Sequence, residues 1–236
     1  MTPPHASWIP IVGIAGLSLL LLWGWCVLLW RAAAGEANRS SLTWRFAAGL
    51  SVYAAMSWAL AASGTLAEQP RLLLCVPLLL VAGVAGLQFT RIAAVLARAT
   101  PLWLLIGMQG FRLPLELVMH EAAVEGVMPV QMTFGAGGFN YDIVTGVTAL
   151  LLAALLRWRP ECSRWIVWVW NVIGSTLLVA IVAIAVTSTP LFARFGSAPS
   201  QLNTWVFFAP FVWLPAVLVG SALLGHALIF RRLLSE

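Results

Sequence analysis

The chain has 236 residues, of which 61% are hydrophobic and only 9% are charged. Soluble domains carry roughly 25% charged residues, so this composition excludes a water-soluble domain and predicts an integral membrane protein. The formal net charge of +5 comes from scattered arginines, and the chain has no lysine. Scattered arginines do not form the basic patch that nucleic-acid binding requires, and the lack of lysine excludes chemistry through a Schiff base.

Seven apolar runs follow one another along the chain. Each run approaches the ~20 residues that an α-helix needs to cross ~30 Å of hydrocarbon. We therefore predict a single all-α transmembrane domain over residues 1–236, built as a bundle of seven helices. The runs cover residues 8–30, 44–64, 71–92, 101–124, 141–157, 165–188 and 205–230.

The arginines predict the orientation of this bundle. No arginine precedes the first run, because the first one is Arg31, so the run is expected to be a retained span and not a cleavable signal peptide. Ten arginines lie after the first, third and fifth runs or at the C-terminus, whereas the opposite segments hold only Arg71 and Arg194. Since cytoplasmic segments carry the arginine excess, we expect the N-terminus outside and the C-terminus in the cytoplasm.

The stretch FRLPLELVMHEAAVEG, residues 111–126, covers the end of the fourth run and the two residues after it, and it concentrates charge in an apolar segment. One face of the predicted helix carries polar side chains spaced by three, four and four residues: Gln109, Arg112, Glu116 and His120. A charge near the bilayer centre costs about 2.5–3.5 kcal/mol, so we expect Arg112 to pair with Glu116. Glu116 is then expected to accept a hydrogen bond from His120, while Pro114 predicts a kink between them.

The segment VMPVQMTFGAGGFNYD, residues 127–142, separates the fourth and fifth runs. It is apolar for an external loop, and its glycines permit tight turns. We predict a Gly-rich outer loop that folds over the outer mouth of the bundle as a lid or a shallow re-entrant segment. Asn140 and Asp142, at the end of this loop, either cap the fifth helix or line a site.

Polar residues between the midplane and the outer surface form a candidate site. They are Gln109, Arg112, Glu116, His120, Glu121, Glu125, Gln131, Asn140 and Asp142. Because intramembrane ionisable groups are usually functional, we predict a ligand, metal or proton site, with a purely structural ion-paired network as the alternative. Glu116 and His120 are the candidate catalytic acid and base, and Arg112 would hold an anionic group. The other candidate ligand-binding residues are Gln109, Glu121, Glu125, Asn140 and Asp142.

A metal site is a weaker interpretation of the same residues. Glu116 and His120 supply two ligands on one helix face, whereas a zinc site needs three or four. Asp142 or His5 would have to complete it, so the metal and any cofactor stay unknown. His226, in the last run, is expected to lie near the cytoplasmic face, too far from His120 for a shared haem. It is interpreted as a packing histidine that hydrogen-bonds Gln88, Thr90 or Asn171.

The stretch RLPLELVMHEAAVEGVMPVQMTF, followed by FNYDIVTG, resembles a group of uncharacterised bacterial multi-pass membrane proteins of seven helices. The closing LPAVLVGSALLGHAL extends the resemblance. The resemblance implies a bacterial origin and location in the cytoplasmic (inner) membrane, and it implies no activity.

Three function classes follow, and the sequence does not decide whether the protein is an enzyme. The first is a membrane-embedded site that binds or converts a small molecule and opens to the outside. The second is a proton-coupled small-molecule carrier with Arg112 and Glu116 at the midplane. The third is a non-catalytic accessory subunit, which requires a membrane-protein partner or a second copy of the chain. The expected partners are the lipid bilayer and a small molecule or ion, and no nucleic acid.

Overall fold

The computed structural model describes residues 1–159 and 164–235. Helix makes up 77% of the structure and the described residues contain no strand, which confirms the all-helical class. The main helices in chain order are α1 (Trp8–Ala32), α2 (Arg39–Ala62), α3 (Pro70–Gln88), α4 (Arg91–Ala99), α5 (Leu102–Val124), α6 (Asp142–Trp158), α7 (Arg164–Thr187) and α8 (Leu214–Ser235).

Within the described ranges, five helices are long and apolar enough to cross a membrane, namely α1, α3, α5, α7 and α8. The second and fifth apolar runs also form helices. However, α6 has 17 residues, which is short for the ~20-residue span of a bilayer. Helix α2 has 24 residues but falls below the apolar character of the five. The number of seven crossings therefore stays a prediction.

Helix α8 is the centre of the bundle, where it packs against α3, α4, α5 and α7. Its side chains Leu224, Leu228 and Ile229 are buried at helical spacing and form part of the core. Helix α1 packs against α2 and α5, and α6 packs against α5 and α7. The polar segment of α5 is therefore held between α6 and α8.

The prediction that a helix spans 205–230 is wrong at its start. The α8 helix begins only at Leu214, with a wide π-type turn over Leu214–Leu218. The preceding segment, residues 188–213, is mostly irregular, yet Trp205 and Phe207 in it are fully buried. Irregular backbone is tolerated inside a helix bundle where protein buries it, and prolines at 210 and 215 disfavour a continuous helix.

The predicted third run, 71–92, also ends differently, because α3 stops at Gln88. The hydroxyl of Thr90 then accepts a hydrogen bond from the backbone N–H of Ala93 and caps the separate helix α4. This helix is amphipathic, since it buries Leu96 while Arg91 and Arg98 stay exposed. The apolar runs alone did not predict α4, because nine residues are too few to register as a span.

Candidate functional site

The candidate site is centred on Arg112, whose surface is 2% exposed. Helix α5 changes to a tight 3₁₀ turn over Met108–Phe111 and resumes as α-helix at Arg112. Pro114 cannot donate to the carbonyl of Gly110, so the irregularity falls directly before the proline. The kink expected at Pro114 is thus a local tightening of the helix, and Arg112 begins the regular part.

Arg112 forms a buried ion pair with Asp142, the first residue of α6. Its Nη1 donates to Asp142 Oδ1 at 2.6 Å, and the two side chains are 1% and 12% exposed. The prediction that Arg112 pairs with Glu116 is wrong in the described structure, although i,i+4 spacing on one helix permitted it. Asp142, 30 positions further along the chain, pairs with Arg112 instead.

A second partner of Arg112 is His226, which sequence reasoning had not assigned to the site. Arg112 Nη2 lies 3.0 Å from His226 Nε2, and His226 Nδ1 lies 2.7 Å from Asn171 Oδ1. Arginine has only donors, so His226 Nε2 accepts, and the ring is neutral with its proton on Nδ1. That proton is donated to Asn171, whose Nδ2 in turn donates to the backbone oxygen of His226 at 3.2 Å.

Glu116 binds the loop between α5 and α6 instead of a residue on its own helix. The backbone N–H of Phe134 donates to Glu116 Oε1 at 2.6 Å, and Asn140 Nδ2 donates to Oε2 at 2.6 Å. Asn140 Oδ1 accepts from the backbone N–H of Asp142 at 3.0 Å, so it also caps α6. The loop is thereby fixed to the bundle by two charge-assisted hydrogen bonds.

Two glycines make room for this cluster. A Cβ atom on Gly174 of α7 would lie 2.7 Å from His226 Cε1, which no real side chain tolerates without a shift. A Cβ atom on Gly146 of α6 would lie 2.8 Å from the backbone nitrogen of Leu113. Both positions allow the close approach that the polar contacts between helices require.

A cavity adjoins the cluster. The volume open to the centres of water molecules is about 90 Å³. Six of its 25 lining residues are polar or charged, namely Arg112, Glu116, Asn140, Asp142, Thr189 and Asn203. The other 19 are apolar. Asn203 is 2% exposed, its Nδ2 donates to the backbone oxygen of Ala185, and its Oδ1 has no partner. The cavity is thus an apolar chamber with buried polar groups in its wall.

The other predicted site residues lie away from the cavity wall. His120 is exposed and Glu121 is half-buried, and neither lines the cavity. Glu125 accepts hydrogen bonds from the backbone N–H and the hydroxyl of Ser7, so it fixes the start of α1 to the end of α5. The hydrogen bond expected between Glu116 and His120 does not form, because Glu116 binds the loop instead.

Two glutamines are buried without joining the cluster. Gln109 is fully buried and its Nε2 lies 3.5 Å from the backbone oxygen of Ala222, while its Oε1 has no partner. Gln131 donates to Ser188 Oγ at 3.2 Å and to the backbone oxygen of Gln201 at 2.7 Å. Gln131 therefore connects the loop between α5 and α6 to the irregular segment 188–213.

The structure brings together Arg112, Glu116, Asn140 and Asp142 from the predicted set and adds His226 and Asn171. The sequence did indicate that Asn171 could hydrogen-bond His226, and the structure confirms that contact. A glycine at 174, on the same helix as Asn171, was the signal that a bulky group from another helix lies close by. No local pattern in the sequence places His226 beside Arg112.

The donor set favours hydrogen bonding and proton exchange over metal binding. Among residues 1–159 and 164–235, no group of three or more His, Cys, Asp or Glu side chains is placed to hold a metal ion. The cluster instead offers two carboxylates, one guanidinium and one neutral imidazole in a low-dielectric setting. Such groups bind and orient a polar ligand atom or exchange a proton with it.

The chain matches a family model but no curated protein or solved structure. The family model described as "Domain of unknown function (DUF8737)" matches residues 69–234, which include every residue of the Arg112 cluster. The chain belongs to this family of unknown function.

Proposed function

We propose that the protein is a multi-pass protein of the bacterial inner membrane that binds a small molecule in the cavity beside Arg112. The observation that carries the proposal is the coincidence of an apolar cavity with buried polar groups in its wall, among them Arg112, Glu116, Asn140 and Asp142. Burying charges in a membrane protein is costly, and ionisable groups placed inside a bundle usually serve ligands or protons. Glu116 is the proposed proton-exchanging group, whereas His120 is too exposed to share that role.

We further propose seven crossings with the N-terminus outside and the Gly-rich loop at the outer face. Contacts between helix ends that are expected on the same side of the membrane support this arrangement. Ser7 binds Glu125, and both residues are expected outside. Glu36 pairs with Arg91, and both are expected in the cytoplasm. The segment 160–163, expected in the cytoplasm, lies outside the described residues.

Cysteine labelling tests the orientation. In a variant that lacks the native cysteines, a membrane-impermeant thiol reagent added to intact cells should label Ser197→Cys and leave Ala37→Cys unlabelled. Both residues are exposed in the structure, so a difference in labelling reports the side of the membrane. Labelling of Ala37→Cys alone would reverse the proposed orientation.

A proton-coupled carrier is the second candidate, and one observation favours it. An unbroken chain of buried hydrogen bonds leads from Glu116 through Asn140, Asp142 and Arg112 to His226 and Asn171. The hydrogen-bonded chain thus extends from the cavity wall to α8, which carries His226, and to α7, which carries Asn171. A carrier would move protons together with the bound molecule in proteoliposomes, whereas a binding protein or an accessory subunit would not.

A ligand screen tests the binding function itself. Purified protein in lipid nanodiscs would be heated with small organic anions, cations, alcohols and divalent metals. We expect at least one compound to raise the unfolding midpoint of the wild type but not that of Val182→Trp, since Val182 lines the cavity. The matched control is Val179→Trp on the same helix, because Val179 is 65% exposed.

If no compound stabilises the wild type, or if Val182→Trp responds as the wild type does, the binding function fails. The accessory-subunit alternative then becomes the better explanation. It predicts that the protein is isolated from native membranes together with another membrane protein or a second copy.

A further inference from the structure

We propose that the cavity binds the head and the first methylenes of a single-chain amphiphile with an ammonium head, which enters from the bilayer. This inference rests on the proposed binding function and names the ligand class for the same cavity. Three observations support it: the helices α3 and α7 that line one side of the cavity, the size of the cavity, and the charges and hydrogen-bonding groups in its wall.

Helices α3 and α7 both line the cavity and both pack against α8, but they make few contacts with each other. Leu80 of α3 and Leu178 and Val182 of α7 are among the lining residues. The outer surfaces on either side are apolar, with Leu79 61% and Val179 65% exposed. A molecule that passes between these helices comes from hydrocarbon, so it must itself carry an apolar part.

The size of the cavity limits how much of such a molecule fits inside. A cavity in which about 90 Å³ is open to the centres of water molecules has room for several water-sized groups. That is enough for a polar head and a few methylenes of one chain. The rest of the chain would remain between α3 and α7 in contact with lipid.

The charges around the cavity favour a cation. Arg112 contributes one positive charge, Asp142 and Glu116 contribute one negative charge each, and His226 is neutral by its hydrogen bonds. With Glu116 ionised, the cluster has an excess of one formal negative charge, which is costly to bury without a counter-charge. An ammonium group supplies that charge.

The hydrogen-bonding groups of the wall also favour an ammonium head. Nη1 and Nη2 of Arg112 each donate one hydrogen bond, to Asp142 and to His226, and Nε has no partner. Carboxylate oxygens accept more than one hydrogen bond, and Asn203 Oδ1 is a buried acceptor without a partner. The wall thus offers carboxylate and amide acceptors for the three donors of a primary ammonium.

A series of head groups on one chain tests this ligand class. Dodecylamine, dodecanol and dodecanoate would be titrated into protein in nanodiscs of neutral phospholipid, with empty nanodiscs as the blank. We expect saturable binding of one dodecylamine per protein, about tenfold tighter than the alcohol or the carboxylate, which is typical of a charge-assisted hydrogen bond. Butylamine, which lacks the long chain, is expected to bind far more weakly.

Two pairs of variants localise the binding. Val182→Trp should abolish dodecylamine binding, and Val179→Trp should preserve it. Glu116→Gln removes the excess negative charge and should weaken amine binding about tenfold, while Glu68→Gln, at an exposed carboxylate, should not. The Val182 pair leaves the polar cluster intact, so it decides the question even if Glu116→Gln folds poorly.

Four results would overturn the proposal: no saturable binding of dodecylamine, equal or tighter binding of dodecanol or dodecanoate, equal binding of butylamine, or unchanged amine binding in Val182→Trp. These results are distinct from failure of the binding function. If small polar molecules stabilise the wild type through the cavity but dodecylamine does not bind, only the ligand class is wrong.

Discussion

Helices α3 and α8 are both apolar and similar in length, yet they occupy opposite environments. In the most apolar 18-residue stretch of each, 6% of α3 is buried and 67% of α8 is buried. The difference lies in their small and polar residues. Helix α8 carries buried Ser221, Gly225 and His226 against other helices, whereas Gly83 and Gly86 of α3 face open space. Inside a membrane, helices associate through close packing and polar contacts, since lipid is as apolar as leucine.

The largest expected effect concerns the ion pair that α8 helps to enclose. Arg112→Ala should lower the free energy of unfolding by about 3–5 kcal/mol, because Asp142 stays buried without its counter-charge. Thermal or denaturant unfolding in detergent micelles measures this loss. The double variant Arg112→Ala with Asp142→Ala should lose less than Arg112→Ala alone. An equal or greater loss in the double variant would contradict a stabilising pair.

The pair of Arg91 and Glu36, whose side chains are 62% and 22% exposed, is the matched control for that experiment. Exposed ion pairs contribute about 0–1 kcal/mol, so Arg91→Ala should change the free energy of unfolding little.

Leucine-to-alanine substitution should give the second largest difference in stability between α8 and α3. Leu228 of α8 is fully buried, so Leu228→Ala should cost about 2–5 kcal/mol through the cavity that it leaves. Leu79 of α3 is 61% exposed, and Leu79→Ala should stay within about 0.5 kcal/mol of the wild type. The same unfolding measurement applies to both. Similar losses for the two variants would mean that α3 is covered by protein in the membrane.

Glycine-to-alanine substitution should give the smallest difference in stability between a buried and an exposed helix position. Gly174→Ala is expected to cost about 1–3 kcal/mol, because the new Cβ would meet His226 Cε1 at 2.7 Å and Thr145 Cγ2 at 2.8 Å. Gly83→Ala, with nothing within 4 Å, should be neutral or stabilise α3 by about 0.5–1 kcal/mol. A Gly174→Ala protein as stable as the wild type would show that His226 is free to move.

Several residues of the candidate site were predicted from the sequence, but the pairs that they form were not. The polar stripe on the fourth run correctly placed Arg112 and Glu116 inside the bundle, because charge in an apolar run has few other places to lie. The stripe also suggested His120 as a partner, and here the helical period misled, since His120 is exposed. A helix face collects residues four apart, but whether each one reaches a partner depends on what the neighbouring helix or loop offers.

The sequence by itself determined that the chain is helical and that several of its helices are long and apolar enough for a membrane. It also determined that charge concentrates in the segment around Arg112. These properties depend on composition and on the helical period, both of which are local. Only the tertiary structure decided that Asp142 and His226 bind Arg112, that Trp205 lies in a buried irregular segment, and that α8 is central. Those features depend on contacts between residues distant in the chain, which helix packing creates and no local pattern encodes.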